Sequence, residues 1–231
     1  MECKKIIILL LFLFIVGCTK MNSLNYNDVK IEWLNHASFK IYGENKIVYI
    51  DPYQIKEDFN DADLIFITHD HYDHCSSKDI SKVSKEGTKI IATEKCASKL
   101  NGNLKTVKPN EKFIIENVNV ETIPSYNLSE QYHLKSNDNV GFILGFGEIK
   151  IYHAGDTDKI PEMKEINVDI AILPVGGTYT MNSKEASEAA REINAKIFIP
   201  MHYGSIVGSE SDAKMFKELV EEQGKNVEIL K

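Results

Sequence analysis

A cluster of three histidines and one aspartate stands directly after an apolar run and constrains this chain more than any other feature. Residues 64–67 form a continuous apolar run, as a buried strand does. His69, His71, Asp73 and His74 follow within six residues. Imidazole nitrogens and carboxylate oxygens are the ligands that zinc and similar divalent metals take. The pattern predicts a metal-binding loop at the carboxyl end of a buried strand, with a polar surface loop as the alternative.

Short runs of β-branched and aromatic residues, separated by turn residues, recur along the chain and predict strands. The first three runs, at residues 29–34, 38–43 and 46–50, predict an antiparallel meander. Apolar residues at helical spacing, with Ser211 as an N-cap, predict helices elsewhere. The further predicted strands are 64–67, 89–92, 112–115, 118–123, 140–146, 149–153, 169–173, 196–200 and 226–230, and the predicted helices are 76–85, 94–100, 183–193 and 211–222.

The order of these elements predicts an α+β fold built from two similar halves. Each half has strands followed by strand–helix pairs, so each can supply one mixed sheet that is covered by helices on one face. The length of 231 residues suits one large domain. We place that domain at residues 29–231, with the polar residues 18–28 as a tether before it.

The charge of the chain bears on its partners. Its formal net charge is −7, and it has no basic run that could release many counterions from DNA or RNA. We therefore expect no nucleic-acid partner and a small-molecule substrate instead. The sequence leaves the oligomeric state open.

The N-terminus has the pattern of an export signal. Two lysines precede the apolar residues 6–16, a stretch shorter than the roughly 20 residues that a membrane-spanning helix needs. It ends in Ile15-Val16-Gly17-Cys18, which resembles the lipobox of bacterial lipoproteins. That resemblance implies removal of residues 1–17 and a lipid on Cys18. The protein would then be exported and anchored to the outer face of the cytoplasmic membrane, or to the outer membrane. A secretory signal with a chance cysteine is the alternative.

Four further segments accompany the histidine cluster, and each follows a predicted strand. They are Trp33-Leu34-Asn35-His36-Ala37, Ile50-Asp51-Pro52, His153-Ala154-Gly155-Asp156-Thr157 and Pro200-Met201-His202-Tyr203-Gly204. Together and in this order they resemble the metallo-β-lactamase superfamily, in particular its lactonase-like and phospholipase-D-like branch, over nearly the whole domain. The resemblance implies an αββα sandwich with a site for two divalent metal ions between the sheets.

The family pattern assigns most ligands of these two ions. We expect zinc, with manganese or iron as alternatives. Asp73 would also orient the nucleophile as a catalytic residue. The resemblance implies that His69 and His71 bind the first metal, that Asp73, His74 and His202 bind the second, and that Asp156 bridges both.

The third ligand of the first metal departs from the family pattern. Asn127 stands where a histidine is common, and His133 is the only histidine between residues 75 and 152. We expect the loop to bring His133 back to the metal. Asn127 would then line the substrate side, with support of a metal ligand as its alternative role. A first site with only two histidines is the alternative.

Several other residues near these segments have less certain roles. His36 would contact a metal ligand or the substrate, or serve the structure alone. Water or Tyr203 would protonate the leaving group. His153 is expected to support the structure or a ligand. We predict that Cys75 and Cys96 are unpaired, although an exported protein can oxidise such a pair.

The resemblance implies a metal-dependent hydrolase that cleaves an ester, lactone or phosphodiester bond. Its nucleophile would be a hydroxide held between two divalent ions, because bound water can have a pKa near 7. His71 stands where oxygen-reducing di-iron relatives have a glutamate, which favours hydrolysis. The alternatives are an iron-dependent oxygenase of the same fold and a non-catalytic lipoprotein that binds metal or solute.

Overall fold

The computed structural model describes residues 23–129 and 132–231, in which two seven-stranded mixed sheets enclose the main hydrophobic core. The first sheet contains β1 (Ser23–Tyr26), β2 (Val29–Asn35), β3 (Ser38–Gly43), β4 (Lys46–Ile50), β5 (Ala62–Ile67), β6 (Ser84–Thr93) and β7 (Asn103–Val107). The second contains β8 (Lys112–Ile115), β9 (Val118–Pro124), β10 (Val140–Phe146), β11 (Ile149–His153), β12 (Ile170–Pro174), β13 (Ile197–Met201) and β14 (Asn226–Val227).

Both sheets have the same topology. From β1 to β4 and from β8 to β11 neighbouring strands pair antiparallel, and from β4 to β7 and from β11 to β14 they pair parallel. The strands follow one another in chain order across each sheet. The two similar halves that the sequence predicts are therefore confirmed, and so is the α+β class with its αββα sandwich.

Alternating side chains on β5 explain how the layers hold together. Leu64 and Phe66 are buried between the two sheets, whereas Ile65 and Ile67 point into a second apolar cluster on the outer face of the first sheet. Fully burying a side chain such as Phe66 contributes about 1.5–3 kcal/mol. The continuous apolar run is thus the mark of a strand that is covered on both faces.

Within the described residues, four α-helices cover the outer faces of the sandwich. Helix α1 (Ser77–Val83) and helix α2 (Glu94–Ala97) contribute to the outer cluster of the first sheet. Helix α3 (Ser183–Glu192) and helix α4 (Glu210–Glu221) pack on each other beside the second sheet. Two short 3-10 helices, Lys135–Asn137 and Pro161–Glu165, lie in loops.

Several predicted helix boundaries were wrong for local reasons. The N-cap of α4 is Ser209 rather than Ser211, because Asp212 accepts a hydrogen bond from the Ser209 backbone N–H at 2.7 Å. Helix α1 ends early because Ser84 already begins β6. The second predicted helix, 94–100, is reduced to the four residues of α2.

The two edge strands of the first sheet, β1 and β7, were not predicted. The predicted tether is wrong for residues 23–26, which form β1 and pair with β2. These four residues are too few to show an alternating pattern, yet Leu24 is buried. Strand β7 was missed because it lies at the other edge, where only Val107 is buried. The predicted signal and Cys18 lie outside the described residues.

A disulfide joins Cys75 to Cys96, so the prediction of two unpaired cysteines was wrong. Strand β6 runs parallel to β5 and brings α2 back beside the loop that follows β5. The two Cα atoms come to 6.2 Å, a separation that a disulfide spans. This proximity depends on strand pairing and could not be read from the cysteine spacing. None of the described helices has the length and apolar character needed to cross a membrane.

Candidate metal centre

Side chains from both sheets meet at one end of the sandwich. The histidine cluster follows β5, Asp156 follows β11 and His202 follows β13, each at the carboxyl end of a strand in the parallel part of its sheet. His36 comes from the turn after β2. Carboxyl ends of neighbouring parallel strands lie at the same sheet edge, where ligand sites form.

The first group, here called the trihistidine site, consists of His69, His71 and His133. His71 Nδ1 lies 3.1 Å from His69 Nε2 and 3.2 Å from His133 Nε2. Two nitrogens that bind one tetrahedral zinc at about 2.0–2.1 Å lie roughly 3.3 Å apart. These nitrogens therefore have the spacing of ligands to one ion. The structure brings His133 to this group as the sequence predicts.

Asn127 and the Tyr179 backbone orient His133. The His133 Nδ1 donates toward Asn127 Oδ1 at 2.8 Å and toward the Tyr179 carbonyl at 3.2 Å. The Asn127 amide in turn donates to Asp158 Oδ1 and to the Tyr179 carbonyl, both at 2.9 Å. This arrangement leaves His133 Nε2 facing the other two histidines, as a metal-binding nitrogen must.

The second group, here called the aspartate site, consists of His36, Asp73, His74 and His202. Asp73 Oδ2 lies 3.1 Å from His36 Nε2 and 3.8 Å from His74 Nε2. The rings of His36 and His202 are 4.0 Å apart between centroids, and the His202 backbone N–H donates to the His36 carbonyl at 2.9 Å. His36 thus contacts the predicted ligands directly, which favours a functional role over a purely structural one.

Asp156 lies between the two groups. Its Oδ2 is 3.0 Å from His202 Nε2, 3.6 Å from His133 Nε2 and 3.9 Å from His69 Nε2. Its Oδ1 is 3.4 Å from His74 Nε2. One carboxylate therefore faces nitrogens of both sites, the position that a bridging ligand requires.

Asp51 supports histidines of both sites, and sequence reasoning gave it no role. Its Oδ2 accepts from His74 Nδ1 at 2.7 Å and from the Thr68 hydroxyl at 2.6 Å. Thr68 Oγ1 lies 2.9 Å from His69 Nδ1. Carboxylates behind metal-bound histidines orient the ring and leave Nε2 to the metal. The segment Ile50-Asp51-Pro52 was the available signal, because it places a carboxylate at the end of a strand beside the cluster.

Burial keeps two imidazoles of the trihistidine site neutral. It lowers the pKa of His69 well below its usual value and also lowers the pKa of His133. A neutral ring keeps the lone pair that binds a metal. These two side chains are therefore in the protonation state that an ion would need.

Charges dominate the aspartate site and the bridge. Burial disfavours the charged form of His74, but the carboxylates of Asp156 and Asp51 outweigh it and raise its pKa well above the usual value. Burial likewise opposes ionisation of Asp156, yet His202 and His74 hold its pKa well below the usual range. Burial opposes ionisation of Asp73 as well, and the hydrogen bond from His36 lowers its pKa. The raised pKa of His74 places positive charge beside the carboxylates of Asp156 and Asp51, where a cation would act.

Buried polar atoms without hydrogen bonds point to the same conclusion. Within the described part of the chain, His74 Nε2, Asp156 Oδ1 and His202 Nε2 are buried and lack a hydrogen-bond partner. Such atoms cost free energy unless something binds them. All three belong to the predicted ligand set, so the residues present fit divalent metal ions.

Two predictions about the surroundings of the metals were wrong. Asn127 does not line the substrate side: it is 5 % exposed, and its amide group is held by His133, Asp158 and Tyr179. Tyr203 does not point its hydroxyl at the site, since the hydroxyl lies 3.5 Å from the Leu230 carbonyl. Its ring stacks on Trp33, and burial raises its pKa, so it is poorly placed to protonate a leaving group.

His153 serves the structure rather than the metals. It is fully buried, and its Nε2 donates to the Ala37 carbonyl at 2.9 Å while the Gly155 backbone N–H donates to its Nδ1 at 3.2 Å. Both ring nitrogens are therefore used. The ring joins the turn after β2 to the loop that carries Asp156.

Comparison with known proteins agrees with this geometry. Residues 30–202 match the family model described as a β-lactamase superfamily domain. A UPF0173 metal-dependent hydrolase from Pyrococcus abyssi is 34 % identical over 220 residues, covering 86 % of this chain and 95 % of the relative. A second one, from Thermoplasma acidophilum, is 34 % identical over 210 residues, covering 83 % and 91 %.

Solved structures show the same architecture. A candidate metal-dependent hydrolase from Parabacteroides distasonis aligns with a TM-score of 0.80 and 34 % identity, covering 90 % of this chain and 98 % of that one. Igni18, a metallo hydrolase from Ignicoccus hospitalis, aligns with a TM-score of 0.73 and 24 % identity, covering 88 % and 95 %. At that identity the second likeness shows the fold alone.

Proposed function

This chain belongs to the β-lactamase superfamily, among relatives that are metal-dependent hydrolases, and from that premise we propose that it uses two divalent ions to cleave an ester, lactone or phosphodiester bond. The single observation that carries the proposal is the position of Asp156 between the trihistidine site and the aspartate site. Two cations held close together repel each other, and a shared carboxylate offsets part of that repulsion.

The ions, when bound, would supply a hydroxide nucleophile near neutral pH and would polarise the scissile carbonyl or phosphoryl oxygen. The protein residues then have distinct tasks. His36 holds Asp73 through the 3.1 Å contact with its Oδ2, so the carboxylate keeps a fixed direction. Asp73 remains ionised and can accept a proton at its carboxylate while it orients the nucleophile. Asp51 fixes the rings of His74 and, through Thr68, His69.

We propose that solvent protonates the leaving group. Tyr203 is excluded by the direction of its hydroxyl toward Leu230. Tyr72 and Tyr179, at 68 % and 42 % exposure, lie in the part of the site that water reaches. Solvent that reaches the site beside these rings would supply the proton to the departing oxygen.

Metal analysis combined with a substrate panel tests the proposal. The purified chain should hold up to two divalent ions, and it should hydrolyse at least one member of a panel of lactones, carboxylic esters and phosphodiesters. Asp156→Asn should lose metal and activity. Asp169→Asn is the matched control, because this buried carboxylate lies before β12, at the other end of the sheet, and pairs with Lys196. A metal-replete chain inactive on the whole panel would contradict the proposal, and iron with oxygen consumption would favour the oxygenase instead.

We also propose that the protein is exported and carries a lipid on Cys18. The lipobox-like Ile15-Val16-Gly17-Cys18 supports this, and the Cys75–Cys96 disulfide adds independent support, since disulfides persist in oxidising compartments. In a bacterial host the full chain should partition with membranes, and Cys18→Ser should escape lipidation. Mass spectrometry that finds an unmodified Cys18 at the start of a processed chain would reject the anchor.

A further inference from the structure

Exposed tyrosines surround the candidate metal centre. Tyr72 is 68 % exposed, Tyr132 is 53 % exposed and Tyr179 is 42 % exposed. Each is tied to a predicted ligand: Tyr72 stands between His71 and Asp73, Tyr132 precedes His133 in the chain, and the Tyr179 carbonyl accepts from His133 Nδ1. Apolar rings that stay exposed beside a polar site indicate that something binds there.

The first half of the chain contributes one pair of rings. Tyr72 and Tyr53 lie 6.1 Å apart between centroids at an angle of 78°. Tyr53 in turn lies 6.0 Å from the ring of His36, which belongs to the aspartate site. This pair therefore extends from the metal centre outward to the surface.

The second half contributes the other pair. Tyr132 and Tyr179 lie 4.7 Å apart at an angle of 69°, an edge-to-face contact that fixes both rings. Tyr179 has a φ of 68°, a left-handed conformation that is unfavourable for a bulky residue. The hydrogen bonds from His133 and Asn127 to its carbonyl hold that conformation. Strain of this kind persists where it places a side chain for function.

The two pairs border the same part of the metal centre. Tyr72 follows His71 in the chain and Tyr132 precedes His133, and the rings of His71 and His133 lie 4.8 Å apart between centroids. The nearest ring nitrogens of these two histidines are 3.2 Å apart. We call the four tyrosine rings the aromatic rim, and the exposed Leu128 and Leu134 on the loop around His133 add apolar surface beside it.

The charges near this rim do not favour an anionic substrate. Lys99, which contacts the metal-binding loop, donates to Asp70 Oδ2 at 2.7 Å. Lys135, on the loop after His133, is paired with Glu162 at 2.8 Å. Both lysines are neutralised by these partners, and the chain as a whole is acidic. A neutral substrate with an apolar part fits such a rim better than a phosphate group does.

We propose that Tyr72, Tyr132 and Tyr179 form an aromatic clamp that binds the alkyl or aryl part of a neutral carboxylic ester or lactone whose carbonyl lies at the metal centre. The inference rests on the proposed hydrolase function and narrows its substrate class. In the reaction, the oxygen of the nucleophile bonds to the carbonyl carbon, the carbon–oxygen bond to the leaving alkoxide breaks, and the alkoxide takes a proton from solvent. An ester gives an acid and an alcohol, and a lactone gives a hydroxy acid, with one water consumed.

A pair of lactones that differ only in an alkyl chain tests the clamp. The metal-loaded protein should hydrolyse γ-nonalactone with a kcat/KM about tenfold above that for γ-butyrolactone, because the pentyl chain moves out of water and packs against the aromatic rings. Tyr72→Ala and Tyr132→Ala should each reduce this preference at least threefold. Tyr179→Asn should do the same, since asparagine tolerates the left-handed backbone. Ile114→Ala is the control, because Ile114 is 70 % exposed on β8 and should leave the preference unchanged.

Binding of a carboxylate product analogue provides a readout that does not need turnover. Hexanoate should bind the metal-loaded protein about tenfold more tightly than acetate in calorimetry, and Tyr132→Ala should remove most of that difference. Equal kcat/KM for the two lactones together with equal binding of the two acids would overturn the clamp. Absence of any hydrolysis with the preference in binding intact would overturn the proposed function and leave the clamp standing.

Two further results would assign a different function to the tyrosine rings of the rim. Faster hydrolysis of bis(p-nitrophenyl) phosphate than of either lactone, unaffected by the tyrosine variants, would show that the substrate is a phosphodiester and would overturn the proposal. Binding to phosphatidylcholine vesicles that the tyrosine variants abolish, with lactone preference unchanged, would assign the rings to membrane contact and would also overturn it.

Discussion

The trihistidine site and the aspartate site differ mainly in charge. The first presents three imidazoles, of which burial keeps His69 and His133 neutral, and its nearest carboxylate is Asp156. The second has Asp73 of its own and shares Asp156. An ion in the trihistidine site would therefore depend strongly on the bridge for negative charge, whereas an ion in the aspartate site would keep Asp73 when the bridge is lost.

The two sites also differ in how the chain builds them. Asp73 and His74 lie side by side in one loop after β5, and Asp51 is bonded directly to His74. His133 reaches the trihistidine site from a loop in the other half of the chain, held by Asn127 and the Tyr179 backbone. His202 likewise brings the other half of the chain to the aspartate site. The two sites therefore differ in what supports their ligands, with a carboxylate behind His74 and an amide and a backbone carbonyl behind His133.

Asp156→Asn should have the largest effect. The variant removes the charge that both sites share, so activity should fall by far more than the roughly 10–100-fold typical of a group that only supports a ligand. The trihistidine site should lose its ion first, leaving about one ion per chain. Elemental analysis and kcat/KM measure this result, and two fully bound ions in the variant would contradict the role of the bridge.

His133→Ala should follow, with an effect confined to the trihistidine site. Removing the imidazole should release one ion and abolish hydrolysis, while the ion at the aspartate site remains. Asn127→Ala leaves the ring but removes its support, so the affinity for that ion should fall by about 10–100-fold. Competition with a metal chelator measures the affinity of each variant for the ion in the trihistidine site. Equal effects, or a loss of the other ion, would show that the two sites are not built as described.

Asp51→Asn should weaken both sites to a similar and intermediate extent. Its carboxylate supports His74 directly and His69 through Thr68, so the affinity for each ion should fall by about 10–100-fold. Titration with Zn²⁺ followed by calorimetry resolves the two binding events. A change restricted to one event would limit the role of Asp51 to that site.

His36→Gln should have a smaller effect, restricted to the aspartate site. Glutamine can still donate to Asp73, so metal affinity should change less than in His36→Ala, where Asp73 loses its 3.1 Å partner. Absorption spectra of the Co²⁺-loaded variants report the surroundings of each ion. A spectral change at the trihistidine site would count against this separation.

Loss of the disulfide should have the smallest effect on the metals. The double variant Cys75→Ser with Cys96→Ser removes a covalent link between residues that are 21 positions apart in the sequence. Its loss should lower the free energy of unfolding by about 3 kcal/mol. Thermal unfolding of the metal-loaded protein measures it. Metal content at 25 °C should stay unchanged, because His74 is held by Asp51 and not by its neighbour Cys75.

The parts of this molecule that local patterns determine could be predicted from its sequence. The runs of β-branched and aromatic residues in β2, β3 and β4 and the apolar run in β5 predicted the strands, since such side chains pack well on a pleated sheet. The order of the strands and helices predicted two similar layers. The cluster after β5 predicted a metal site because so many ligand types in one loop need a common partner.

What depends on contacts between distant segments could not be predicted in this way. The disulfide forms because β6 returns beside β5, and β1 forms because β2 offers it an edge. The hydrogen bonds of Asn127 to Asp158 and to the Tyr179 carbonyl join residues far apart in the chain. The sequence does not reveal them, so the expected position of Asn127 on the substrate side was wrong. Tyr203 was misjudged because its hydroxyl direction is set by packing on Trp33.

Asp156 is shared by two sites of different charge, and anomalous diffraction from crystals grown with Zn²⁺ would locate the ions beside it. We expect two ions about 3.5–4 Å apart, as in other two-metal sites. One ion should lie about 2.0–2.1 Å from nitrogens of His69, His71 and His133, with a carboxylate oxygen of Asp156 reaching both. A single ion, or two ions with the His133 ring turned away and Asp156 bound to only one of them, would contradict it.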